Sequence, residues 1–87
     1  MRAQQLVARN IRRLRVSRGI SQEALAIDAG IDRTYVSRLE RGLENPTVRV
    51  LERLSKALDY DLREFFDPSE VKRPVDPLRK GRKRKDG

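Results

Sequence analysis

Cysteine and histidine are both absent from the chain. Their absence removes any disulfide framework and both the thiolate and imidazole ligands that zinc prefers. There is no glycine-rich phosphate loop either, so little is left from which to build an enzyme. Four acids, Asp59, Asp61, Glu64 and Asp67, are the one conceivable magnesium set, but Asp61 and Glu64 already have a place in helix capping. No catalytic residue, cofactor or metal is therefore expected. Long apolar runs are also missing. Nothing approaches the roughly 18 residues of a membrane span, and no apolar core of a secretory signal is present. No membrane partner follows, and the lack of cysteine fits a reducing cytoplasm. Residues 1–22 carry arginines without acids, as organellar transit peptides do, but they run directly into packed helical sequence. Apolar residues nowhere alternate with period two, which excludes strands of useful length. The fold class expected is all-α.

What the chain has in excess is positive charge. Twenty-one basic side chains stand against 13 acidic ones, a formal net charge of +8 over 87 residues. In a chain of this size that excess points to an anionic partner such as nucleic acid. The charge is unevenly spread. Residues 1–41 hold nine basic and four acidic side chains, residues 42–67 hold four and six, and residues 68–87 hold eight and three.

Helix starts can be read from a motif that occurs three times: an apolar residue, a capping residue, and a second apolar residue four after the cap. The copies are Ile20, Ser21 and Leu25; Ile31, Asp32 and Val36; Tyr60, Asp61 and Phe65. Each is a hydrophobic staple, and Glu64 in the third copy adds the acid of a capping box. A fourth start falls at Thr47, after Pro46 has disfavoured helical geometry at Asn45. The first helix is expected over about 4–18, with Val7, Ile11 and Leu14 as its buried stripe and Gly19 as its end. Others follow at about 22–29, 33–41, 48–58 and 62–66. Val48, Leu51, Leu54 and Leu58 form the stripe of the fourth. Of the adjacent Phe65 and Phe66, one is expected to enter the core and the other to stay near the surface. The expected layout is a five-helix domain over residues 1–67 and a Pro-containing basic tail over 68–87, whose charge run RKGRKRKDG cannot pack and is expected to be disordered.

The stretch IDRTYVSRLERG, residues 31–42, carries the strongest functional signal. Wound as a helix with Arg33 at zero, Ser37, Arg41, Thr34 and Arg38 fall at roughly 40°, 80°, 100° and 140°. Tyr35, Leu39 and Val36 fall opposite, at roughly 200°, 240° and 300°. One face is apolar. The other sets arginines among short hydroxyl side chains with no acid between them, which suits contact with an anion. A guanidinium at Arg33 or Arg38 can donate two hydrogen bonds to guanine O6 and N7. Thr34 can donate, accept, or place its methyl against thymine. Gln22 opens a helix whose free N–H groups favour a phosphate. Just before this stretch, Gly30 supplies a tight turn and Ala26 a close helix approach, which is helix-turn-helix grammar.

The pattern Gln22, Leu25, Ala26, Gly30, Ile31, Val36, Ser37, Leu39, Glu40, Gly42 resembles the phage repressor and Cro-like helix-turn-helix family, also called XRE. The likeness covers about residues 5–66, and IDRTYVS is similar to the controller proteins of restriction-modification systems. The resemblance implies a transcriptional regulator that binds a double-stranded DNA operator, an inverted repeat, as a homodimer with its third helix in the major groove. Base contact would fall on Asp32, Arg33, Thr34 and Arg38, with Ser37 beside them; Asp32 has capping as its competing role. Phosphate contact would fall on Gln22, Tyr35 and Arg41. Arg15 would pair with Glu40 between the first and third helices and share itself with a phosphate. Phage relatives often carry glutamines where Arg33 and Thr34 stand, so their operators do not transfer. Dimerisation is expected through the less basic C-terminal helices. The rival reading is a protein-binding adaptor or antitoxin using the same helical domain.

Overall fold

A computed structural model describes residues 2–69. Its order is α1 (Ala3–Arg18), α2 (Gln22–Ala29), α3 (Arg33–Glu40), α4 (Val48–Leu58) and a 3-10 helix (Leu62–Phe66). Four of the expected five helices are α-helical, and the described residues contain no strand. The fifth is the tighter 3-10 form. Its capping box does not close. Asp61 Oδ1 accepts from the Arg63 backbone N–H at 2.8 Å, and the Arg63 guanidinium clasps the same carboxylate at 3.1 Å. These bonds hold the Asp61 carboxyl below the ordinary aspartate value, the backbone N–H contributing most. A five-residue segment has only about one turn in which to form a ladder, and the shorter i→i+3 bond suits it.

The other starts form where their capping residues indicate. Ser21 Oγ accepts from Ala24 N at 2.9 Å, Asp32 Oδ2 from Thr34 N at 3.1 Å, and Thr47 Oγ1 from Val50 N at 3.1 Å. Gly30, at φ 70°, ends α2 in the left-handed region, and Ile31 N donates to Ala26 O at 2.9 Å. That pair of features is the Schellman end that turns the chain into α3. Helix α4 ends at Asp59, which takes the same region at φ 59° without being glycine.

Each helix contributes a stripe to one core. Val7, Ile11 and Leu14 meet Leu25, Ala26 and Ala29 of α2, Val36 and Leu39 of α3, Leu51, Leu54 and Leu58 of α4, and Phe65. Phe65 is fully buried while Phe66 is 46 % exposed, the division expected of neighbours on a short helix. Val48 departs from expectation. It has the spacing of the α4 stripe but stands in the first turn, beyond the edge of the core, and is 72 % exposed.

A buried polar residue fastens the C-terminal segment. Asn10 is 2 % exposed on the core side of α1. Its Nδ2 donates to Phe65 O at 3.0 Å and Asp67 O at 2.9 Å, and its Oδ1 accepts from Arg13 Nη2 at 3.2 Å. The side chain thus donates to two carbonyls at the C-terminal end of the 3-10 helix, where helical carbonyls lack intrahelical partners. The basic tail lies almost wholly outside the described residues.

Candidate nucleic-acid interface

Val36 and Leu39 are fully buried or nearly so, which fixes the rotation of α3 about its axis. Arg33, Thr34, Arg38 and Arg41 consequently face solvent, and Ser37 and Tyr35 are half-buried at the margins. Neither the Arg33 nor the Arg41 side chain has a hydrogen-bond or ion-pair partner among the described residues. Two guanidiniums therefore stand exposed with all their donors available. Asp32 caps α3 through Oδ2, so one carboxylate oxygen is already engaged with the backbone.

Behind this face lies an ion pair joining three helices. Arg15 Nε and Nη2 donate to Glu40 Oε2 and Oε1 at 2.6 and 3.0 Å. Gln22 Nε2 donates to Glu40 Oε1 at 3.0 Å, and Arg15 Nη1 donates to Ile20 O at 2.8 Å. The Glu40 side chain is only 2 % exposed. The expected Arg15–Glu40 pair is present, with Nε, Nη1 and Nη2 each making one bond within the protein. Gln22 likewise spends its amide N–H on Glu40. Its position at the first turn of α2 keeps the backbone N–H groups of that turn nearby for an anion.

One acid enters the arginine face after all. Glu44, in the connection to α4, accepts from Arg38 Nε through Oε2 at 2.8 Å. Nothing in the helical wheel announces it, because Glu44 lies beyond the end of α3 and the chain must fold back to bring it there. Gly42 makes that return possible. At φ 77° it occupies the left-handed region, and Leu43 N then donates to Arg38 O at 3.0 Å. The same carboxylate acts on Tyr35, whose phenol is held above its ordinary pKa by burial first and by the Glu44 charge second.

The four acids Asp59, Asp61, Glu64 and Asp67 do not converge, and no cluster that could hold a metal ion occurs among the described residues. No described helix is long and apolar enough to cross a membrane.

A capped, outward-facing basic helix set by a glycine turn against a companion helix defines the helix-turn-helix class of transcriptional regulators. The family model described as "HTH_3: Helix-turn-helix" matches residues 11–65, and the chain belongs to that family. The chain is 38 % identical over 63 residues to the HTH-type transcriptional regulator SlrR of Bacillus subtilis (strain 168), a match covering 71 % of this chain and 41 % of SlrR. Among solved structures it is similar to the restriction-modification controller protein C.AhdI from Aeromonas hydrophila. There the TM-score is 0.71 at 40 % identity, covering 72 % of this chain and 96 % of the controller. It is also similar to the controller protein C.Esp1396I, solved as a tetramer in complex with its natural 35 base-pair operator. That TM-score is 0.70 at 35 % identity, covering 76 % of this chain and 87 % of that one.

Proposed function

We propose that this regulator binds an operator of inverted half-sites as a homodimer, in the manner of a restriction-modification controller protein. Helix α3 enters the major groove, with Arg33, Thr34 and Arg38 at base edges, Ser37 beside them and Asp32 at the groove mouth. Gln22, Tyr35, Arg41 and a shared Arg15 sit toward the phosphates, where they set register without reading sequence. The C-terminal segment, with exposed Phe66, is the dimer surface. Residues 1–67 act as the reading domain and 68–87 as a basic tail that adds uniform affinity.

The observation that carries this reading is the outward, unpartnered guanidinium of Arg33 on a helix anchored from behind by Val36 and Leu39. The likeness to a controller protein solved on its operator supports it. The first test is fluorescence anisotropy with random duplex DNA at several salt concentrations, followed by selection of bound duplexes from a random pool. Affinity should fall steeply and log-linearly with salt, and the selected sequences should show inverted half-sites about one helical turn apart. Negligible binding even at low salt would overturn the reading and favour the adaptor.

A further inference from the structure

Arg38 differs from Arg33 and Arg41 in being held. Its Nε donates to Glu44 Oε2 at 2.8 Å, and its Nη2 makes a longer bond to Leu43 O at 3.4 Å. A planar guanidinium has five N–H donors, and these two bonds use only the edge formed by Nε and Nη2. Nη1 has no partner among the described residues. The opposite edge, two donors of Nη1 with the second of Nη2, stays available on a side chain that is 46 % exposed. That edge is itself a bidentate fork.

The connection carrying Glu44 is fixed from two sides. Gly42 returns the chain so that Arg38 O accepts from Leu43 N while Leu43 O accepts from Arg38, a reciprocal closure. From the other side, Gln4 of α1 donates Nε2 to Glu44 O at 2.9 Å. Pro46 follows and restricts Asn45. An ion pair exposed to solvent contributes little to stability. Its cost is evident on a DNA-facing surface, where a carboxylate repels phosphate. The geometry offers a compensating role.

We propose that Glu44 is a positioning residue for base recognition: it grips one edge of the Arg38 guanidinium so that the other edge is presented to a guanine. The proposal rests on the DNA-reading function above. Holding the fork in place lowers the side-chain entropy lost when it docks on O6 and N7. It also keeps Arg38 from swinging to a phosphate, where it would add affinity without discrimination. Glu44 therefore trades general affinity for specificity at one position of each half-site.

Two measurements test this. The first needs no DNA. The Nε–H resonance of Arg38 in the full chain should be shifted and slow to exchange, and in Glu44→Ala it should join the signals of solvent-exposed arginines. An Arg38 Nε–H already indistinguishable from those in the unaltered protein overturns the proposal while leaving the DNA-reading function intact. The second uses the selected operator duplex with each base pair substituted in turn. Arg38→Ala identifies the pair that Arg38 reads, with an expected loss of about 10- to 100-fold in discrimination there. Glu44→Ala should lose most of the discrimination at that same pair, bind random duplex as well as or better than the unaltered protein, and steepen the slope of log affinity against log salt by up to about one unit as Arg38 reaches a phosphate. Glu44→Gln keeps an acceptor for Nε and should retain part of the preference. Undiminished discrimination in Glu44→Ala, or a loss spread evenly over all pairs with a lowered Tm, overturns the role. Absence of any duplex binding by the unaltered protein would instead remove the function on which the role rests.

Discussion

Arg33 and Glu40 sit seven residues apart in one short segment and have opposite dependencies. Arg33 is exposed and unpartnered, so nothing in the fold relies on it. Arg33→Ala should leave Tm nearly unchanged, within about 0.5 kcal/mol of stability. In competition anisotropy it should cost about 10- to 100-fold in the ratio of operator to random-duplex affinity. Glu40 has the reverse profile. Its carboxylate accepts from Arg15 and Gln22 and is almost wholly buried. Glu40→Ala strands the guanidinium of Arg15, whose side chain is 13 % exposed, and is expected to destabilise by about 3 kcal/mol in urea titration. A loss below about 1 kcal/mol would show that solvent readily replaces the carboxylate. At this scale the sequence was informative for side chains with local causes. The caps at Ser21, Asp32 and Thr47 depend on neighbours within three residues and could be read directly. The Arg38–Glu44 bond depends on a reversal at Gly42, so a wheel drawn through α3 could not contain it.

Among the elements, those with a long apolar stripe were the most legible. Helix α2 and helix α4 have the bounds that their caps and periodicity indicate, and α1 begins one residue earlier than expected. The exceptions lie where periodicity ceases to govern. Val48 keeps the period but lies past the core, since a stripe is buried only for as long as another element faces it. The 62–66 segment was correctly placed but expected as a further α-helix, because a staple specifies where a helix begins and not how tightly it winds. What holds that segment was unforeseen: Asn10, a polar residue beside the α1 stripe, reaching across 55 residues of chain to Phe65 O. Periodicity alone gives no reason to bury an asparagine. Asn10→Ala removes the amide donor from the Phe65 and Asp67 carbonyls and is expected to cost about 1–3 kcal/mol. Amide exchange should accelerate in the 3-10 helix before it does so in α2 or α3. Uniform acceleration across all helices would show instead that the segment opens only with the whole domain.

Along the whole chain, positive charge is divided between residues 1–41 and the tail, and a net acidic stretch, residues 42–67, separates the two. That partition motivates two expectations. The less basic C-terminal segment can approach a second copy with less repulsion, so sedimentation should show a dimer at micromolar concentration. A monomer throughout the high micromolar range would count against self-association there. Deleting residues 79–87 removes six basic side chains and should weaken binding to every duplex alike, while flattening the salt slope. An unchanged slope would make the tail a bystander. The family and its helix-turn-helix were legible because they rest on spacing within one segment. The operator sequence was not, since it depends on which donors of each arginine remain free, and for Arg38 that is settled by a chain reversal just beyond the end of its own helix.

The Gln4 bond to the Glu44 carbonyl gives the opening turn of α1 a share in how the connection after α3 is held. Gln4 is exposed and precedes the first buried anchor at Val7, so trimming the chain back to residue 5 should spare the hydrophobic interior. Such a shortened protein would melt almost normally and still cling to duplexes, yet choose among them less accurately, because the turn that carries Glu44 would have lost one of its two fastenings.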